Sequence, residues 1–181
     1  MMGATVAVAL AVPLAGCGGG GDADTTASTP KGFQSTKTDD FSLALPPGWK
    51  VDQNSVQGGQ GVFVEARPPG SDINRPQLRV ASARNYNADI NNAVTLAEGE
   101  IPVRRPGATR VVSKPIDVPG AADARRVEWT VPAGGGIDAA RIVTVLALSS
   151  KKVLVNLSVG VSESQAAGAR IDDVVRSLRV G

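Results

Sequence analysis

The chain has 181 residues, with six aromatics, one cysteine and no histidine. That excludes a Ser-His-Asp or Cys-His nucleophile, a histidine-ligated metal or haem, and a disulfide within the chain. Apolar residues at 42%, charged residues at 20% and a net charge of +2 describe an ordinary globular domain, not a disordered or membrane-embedded chain.

From Ala4 to Ala15 the sequence reads ATVAVALAVPLA, without a charge. As a helix this run spans about 18 Å, short of the roughly 30 Å hydrocarbon core, so it suits the apolar region of an export signal better than a permanent span. Leu14-Ala15-Gly16-Cys17 then matches the bacterial lipobox, with the chain's single cysteine at its last position. The resemblance implies that Cys17 takes a diacylglyceryl group of palmitate type and becomes the N-terminus after cleavage. The other reading, a buried cysteine near a frayed end, has nothing nearby to bury it, because glycines follow Cys17. No Lys or Arg precedes the apolar run, so either the true start lies upstream of Met1 or the signal is atypical. Two acyl chains, at about 0.8 kcal/mol per buried methylene, suffice for stable anchoring.

Gly18 to Asp40 holds one aromatic, Phe33, and no aliphatic residue larger than alanine. Such a segment cannot offset its ordering entropy and is expected to be a disordered tether, reaching about 26 Å as a flexible coil. The expected organisation is therefore a lipoprotein signal peptide over 1–16, a lipidated Cys17 and tether over 17–40, and one domain over 41–181. The domain has only a modest basic excess and no stacking aromatics at regular spacing, so nucleic acid is not an expected partner.

Strand signals dominate from Phe41 onward. Phe41, Leu43 and Leu45 alternate before a Pro46-Pro47-Gly48 turn, and Trp49-Lys50-Val51 opens the next strand. A loop with Gly58, Gly59 and Gly61 precedes the strand Val62–Ala66, which Arg67-Pro68-Pro69-Gly70 ends. Leu78 and Val80 mark another strand. Ile90, Val94, Ala97 and Ile101 then recur at helical spacing, with Asn87 or Asp89 as N-cap and Pro102 as the expected stop.

A strand from Val111 toward Val118 follows, with Pro119-Gly120 as its turn. Val127, Trp129 and Val131 share one face, and Arg126, Glu128 and Thr130 the other. The run Ile142–Leu148 and the alternation Val153, Val155, Leu157, Val159, Val161 complete an antiparallel meander. Ser162 with Gln165 reads as a capping box for a last helix, whose stripe is Ala167, Ile171, Val174, Val175 and Leu178. The fold class is α+β: an antiparallel sheet with helices packed on it.

The order FSLALPPGW (Phe41–Trp49), two strands, helix, three-strand meander and a final helix ending IDDVVRSLRV (Ile171–Val180) resembles the PsbP-like α/β/α sandwich. That fold is shared with the nuclear-import factor Mog and the DcrB-type proteins. With the lipobox and tether, the chain is similar to the LpqN/LpqT-type lipoproteins of actinobacterial envelopes. The resemblance implies a fold, a place on the outer face of the cell membrane and a non-catalytic binding or assembly role. It transfers no catalytic residue.

Candidate chemistry is sparse, and no cofactor or metal motif is visible. Asp39-Asp40 lies beside the tether, and Asp172 and Asp173, adjacent on a helix, point about 100° apart and cannot share a substrate atom. Gly58-Gly59-Gln60-Gly61 lacks the helix and the Lys-Ser/Thr of a phosphate loop. Asn156-Leu157-Ser158 is a glycosylation sequon inside a strand. Arg125 and Arg126 fall on opposite faces of their strand, whereas Arg104-Arg105, between Pro102 and Pro106, is suited either to phosphates or headgroups or to a solvated loop. Trp49 and Trp129 read as core anchors or as pocket walls. A ligand site, if present, is expected between the first helix (Ile90, Val94, Ala97) and the sheet (Leu78, Val80, Trp129).

Three functions fit these features. The first is a membrane-anchored protein whose domain binds an envelope protein or an apolar small molecule. The second is an accessory or assembly factor of a membrane complex. The third is a carboxylate-based hydrolase, which requires two carboxyls converging within about 10 Å in a cleft.

Overall fold

The run Ile142–Leu148 is buried at every position, so the strand that carries it is apolar on both faces and needs a covering layer on each side. The computed structural model describes residues 29–56, 59–68, 77–134, 138–165 and 169–181. Seven strands pair antiparallel in the order β3 (Lys50–Ser55), β4 (Val62–Arg67), β5 (Gln77–Ala83), β9 (Leu154–Ser162), β8 (Ala140–Leu148), β7 (Asp123–Val131), β6 (Thr109–Pro115). The β7-β8-β9 meander is regular, with Trp129 opposite Ile142 and Ile142 opposite Gly160. A second, three-stranded sheet has the order β1 (Gln34–Lys37), β2 (Phe41–Leu45), β10 (Arg179–Val180).

The covering layers differ in kind. One face receives helix α1 (Ile90–Arg104), whose Ile90, Ala93, Val94 and Ala97 pack on Val127, Trp129, Ile142, Leu146 and Leu148. The other receives β2, β10 and helix α2 (Ile171–Ser177), with Phe41, Leu43, Leu45, Ile171, Val174 and Leu178 packed on Val64, Leu78, Val80, Val145 and Leu157. The two tryptophans serve separate cores, Trp49 in the second of these and Trp129 in the first.

Several boundaries differ from the sequence expectation, each for a physical reason. The segment read as tether over 17–40 already folds before Phe41: β1 pairs with β2 from Gln34↔Leu45 to Lys37↔Ser42. Its backbone hydrogen bonds, not apolar side chains, recruit it. Helix α1 runs through Pro102 to Arg104, because a proline in the last turn removes only one hydrogen bond, and the N–H of Arg105 closes the end on Ile101 O. β6 stops at Pro115, which cannot donate to the ladder, and Val118 is buried beyond the strand.

Ser162 is the last residue of β9. Glu163–Gln165 forms one 3-10 turn, and α2 begins after Arg170, which adopts the left-handed conformation at φ 47°. Ala167 lies outside the described residues, as do Cys17 and the whole of 1–28.

Candidate functional site

Helix α1 is held in place at its start and at its middle. Asp89, one of the two expected caps, accepts from the N–H of Asn92 at 2.9 Å, and Glu98 meets Arg110 of β6 at 2.5 Å. The inner face of the helix is in full contact with the sheet, and Trp129 beneath it is only 1% exposed. The centre of the interface between helix and sheet is therefore closed to solvent. The expected lining of that interface needs correction. Leu78 and Val80 point to the other face, beneath β2 and α2, because the pairing Val80↔Leu157 places them with Leu157 and not with Trp129.

Polar groups flank the helix. Arg125 donates to Asn91 Oδ1 at 3.4 Å and has no carboxylate within ion-pair distance among the described residues. Its Nε and the Oδ1 of Asn156, the sequon residue on β9, are buried without a protein partner. The outer face of α1 carries Leu96 and Val103, seven residues apart, at 65% and 80% exposure. Arg104 pairs with Glu100 at 2.6 Å, so of the Arg104-Arg105 pair one is already engaged in the helix.

Arg126 projects to the opposite face from Arg125, as alternation requires. There its Nε donates to Glu128 at 2.7 Å and its Nη2 to Asp172 of α2 at 2.6 Å. Arg141 closes the group on the second oxygen of Glu128, at 2.5 Å. Glu128 is thus a buried carboxylate between two guanidiniums. The sequence signal was present, since Arg126 and Glu128 are two apart on one strand face, but nothing in it marked that face as covered.

Asp172 and Asp173 diverge. Hydrogen bonding to Arg126, with the charges of Arg126, Arg141 and Arg176, holds Asp172 below the usual carboxylate range against the opposing effect of burial. Asp173 is lowered by Arg176 and then Arg170, both of which donate to it. A general acid needs a shift in the other direction. Asp40, placed beside the tether by the sequence, is instead part of the fold: it is 4% exposed, accepts from Ser82 Oγ at 2.5 Å and from Arg84 Nε at 2.8 Å, and pushes Arg84 further up. Among the described residues no cluster of three His, Cys, Asp or Glu could hold a metal, and no helix is long and apolar enough to cross a membrane.

A seven-stranded antiparallel sheet between α1 on one side and α2 with a small sheet on the other is the PsbP-like fold. No family model matches the chain, and no curated protein matches it in sequence. Among solved structures it is similar to cyanobacterial PsbP (CyanoP) from Synechocystis sp. PCC 6803, with a TM-score of 0.58 at 14% identity over 94% of this chain and 100% of that one. It is also similar to LpqN, involved in cell envelope biogenesis of Mycobacterium tuberculosis, with a TM-score of 0.53 at 13% identity over 82% and 91%. A protein from Bacteroides thetaiotaomicron matches at a TM-score of 0.50 and 11% identity over 78% of this chain and 45% of its own, so the chain spans under half of that protein. At these identities the likeness is one of fold.

Proposed function

We propose that the protein is a lipoprotein of the outer face of the cell membrane, acylated at Cys17, whose PsbP-like domain binds a partner protein of the envelope without catalysis. The observation that carries the reading is Leu14-Ala15-Gly16-Cys17 at the end of a twelve-residue uncharged run. The fold likeness to LpqN, an envelope-biogenesis protein, supports the same compartment. A protein partner is favoured over an apolar small molecule because the apolar face between α1 and the sheet is closed to solvent. Leu96 and Val103, on the outer face of α1, are available to such a partner.

Metabolic labelling with a fatty-acid probe tests the anchor. Wild type should label and fractionate with membranes, and Cys17→Ala should lose both. Unchanged labelling and fractionation in the variant would overturn the assignment. A native mass spectrum of the unacylated chain should show the protein mass alone. A co-purifying apolar molecule of defined mass would replace the partner-protein reading with a carrier.

A further inference from the structure

The seven-stranded sheet has two edges, and they are treated differently. β6 is blunted by a bulge between Arg110 and Val112, by Lys114 and by Pro115, the devices that keep an edge from pairing. β3 has neither bulge nor proline, and its one lysine, Lys50, stands at the first position of the strand. It pairs with β4 without interruption from Lys50↔Arg67 to Ser55↔Val62, and all six of its residues are exposed.

Backbone parity identifies the free groups of β3. The N–H of Val56 bonds Gly61 O, and the N–H of Val62 turns to Ser82 on the β5 side. In an antiparallel ladder the direction alternates, so Lys50, Asp52 and Asn54 bond β4 while Val51, Gln53 and Ser55 present their N–H and C=O outward. At the start of the strand Gln34 Nε2 donates to Trp49 O at 2.7 Å, which closes that end of the edge. The open stretch is therefore centred on Gln53.

We infer that β3 is a self-association edge, pairing antiparallel with β3 of a second copy about a two-fold axis through Gln53. In this register all three outward residues are used, with two hydrogen bonds in each of the pairs Gln53 with Gln53, Val51 with Ser55 and Ser55 with Val51. The facing side chains are complementary. Asp52 meets Asn54, an acceptor against an amide donor, and Gln53 meets its own copy as a reciprocal amide pair. The stem of Lys50 lies over Val56, which is 39% exposed in the single chain. No like charges face one another, and each Asp52 is already paired with its own Arg67 at 3.3 Å. The inference does not depend on acylation.

Disulfide trapping in the full chain tests it, with Cys17→Ser so that the introduced cysteine is the sole thiol. Gln53→Cys places two sulfurs across the axis at about 5.5 Å between Cα atoms, within disulfide range, and should cross-link about tenfold faster than Asp52→Cys or Lys114→Cys. Equal rates at the three positions, or no cross-link at Gln53→Cys, would overturn the inference. Gln53→Pro removes an outward N–H without touching the bonds to β4, and should abolish the dimer in sedimentation velocity while circular dichroism stays that of the wild type. A dimer that survives Gln53→Pro would place the interface elsewhere. A chain that is monomeric throughout the accessible concentration range and does not cross-link would leave β3 to an extended segment of another protein and refute self-association.

Discussion

At the scale of single residues, Asp40 shows how little adjacency in sequence says about environment. Asp39 and Asp40 look alike as a solvated pair, yet Asp40 is buried on Ser82 of β5 and on Arg84 in the turn just after it, some forty residues away. Only the folded register brings them together. Asp40→Ala leaves the Ser82 hydroxyl and a guanidinium short of an acceptor, and should cost about 1–3 kcal/mol in urea unfolding. Gly61 belongs to the same corner, since a Cβ there would lie 2.0 Å from Ser82 O, so no side chain fits without moving β5. Asp172 makes a different prediction. Its folded-state pKa is lowered, so its pairing with Arg126 stabilises the protein above the unfolded carboxylate pKa and is lost as pH falls through the lower folded value. Asp172→Asn should therefore be less stable than wild type at neutral pH, with the difference closing below about pH 3.8. Its side chain is 54% exposed, so the gap should be small and should shrink in salt. A gap that persisted undiminished at acid pH would refute the ion-pair account.

Elements were more legible than their partners. Alternation in β7 separates Val127 and Trp129 from Arg126 and Glu128 correctly, and helical spacing selects three of the four buried residues of α1, Ile90, Val94 and Ala97, while missing Ala93 and adding the half-buried Ile101. Neither pattern says which face of β5 shares a layer with Trp129. That relation passes through the registers of β9 and β8, which no local period encodes, and it is why Leu78 and Val80 belong to the opposite core. β1 was illegible for another reason: its sequence QSTK has no apolar residue, and it is a strand only because β2 offers it hydrogen bonds. The α1 layer depends on one large side chain. Trp129→Ala should cost about 3–5 kcal/mol by chemical denaturation, because the cavity lies between a helix and a sheet that cannot both collapse onto it. Loss of less than about 1 kcal/mol would mean that α1 is not held by this contact.

For the whole molecule, the last residues of the chain close onto β2 and its approach from Asp40, on one side of the large sheet. The N–H of Gly181 bonds Asp40 O and that of Val180 bonds Pro119 O, while β10 pairs with β2. Gly120 makes this closure feasible: at φ 83° it sits where a Cβ would be 1.9 Å from Val180 O. Upstream, Phe33 packs against the core and lies under the Arg170 guanidinium at 4.5 Å from its ring centroid. The folded unit thus includes residues that composition alone assigned to the tether, and the domain boundary becomes an experimental quantity. A chain beginning at residue 29 retains Phe33, β1 and Asp40, whereas one beginning at Phe41 loses all three. The shorter chain should be less stable by at least about 2 kcal/mol, from the burial of Phe33 and the hydrogen bonds of Asp40 together. Equilibrium unfolding of the two chains decides the matter. Equal midpoints would return the boundary to Phe41 and make β1 a passive strand, whereas a lower midpoint for the shorter chain would mean that any pull transmitted along the N-terminal segment acts first on β1 and Asp40, not on the body of the sheet.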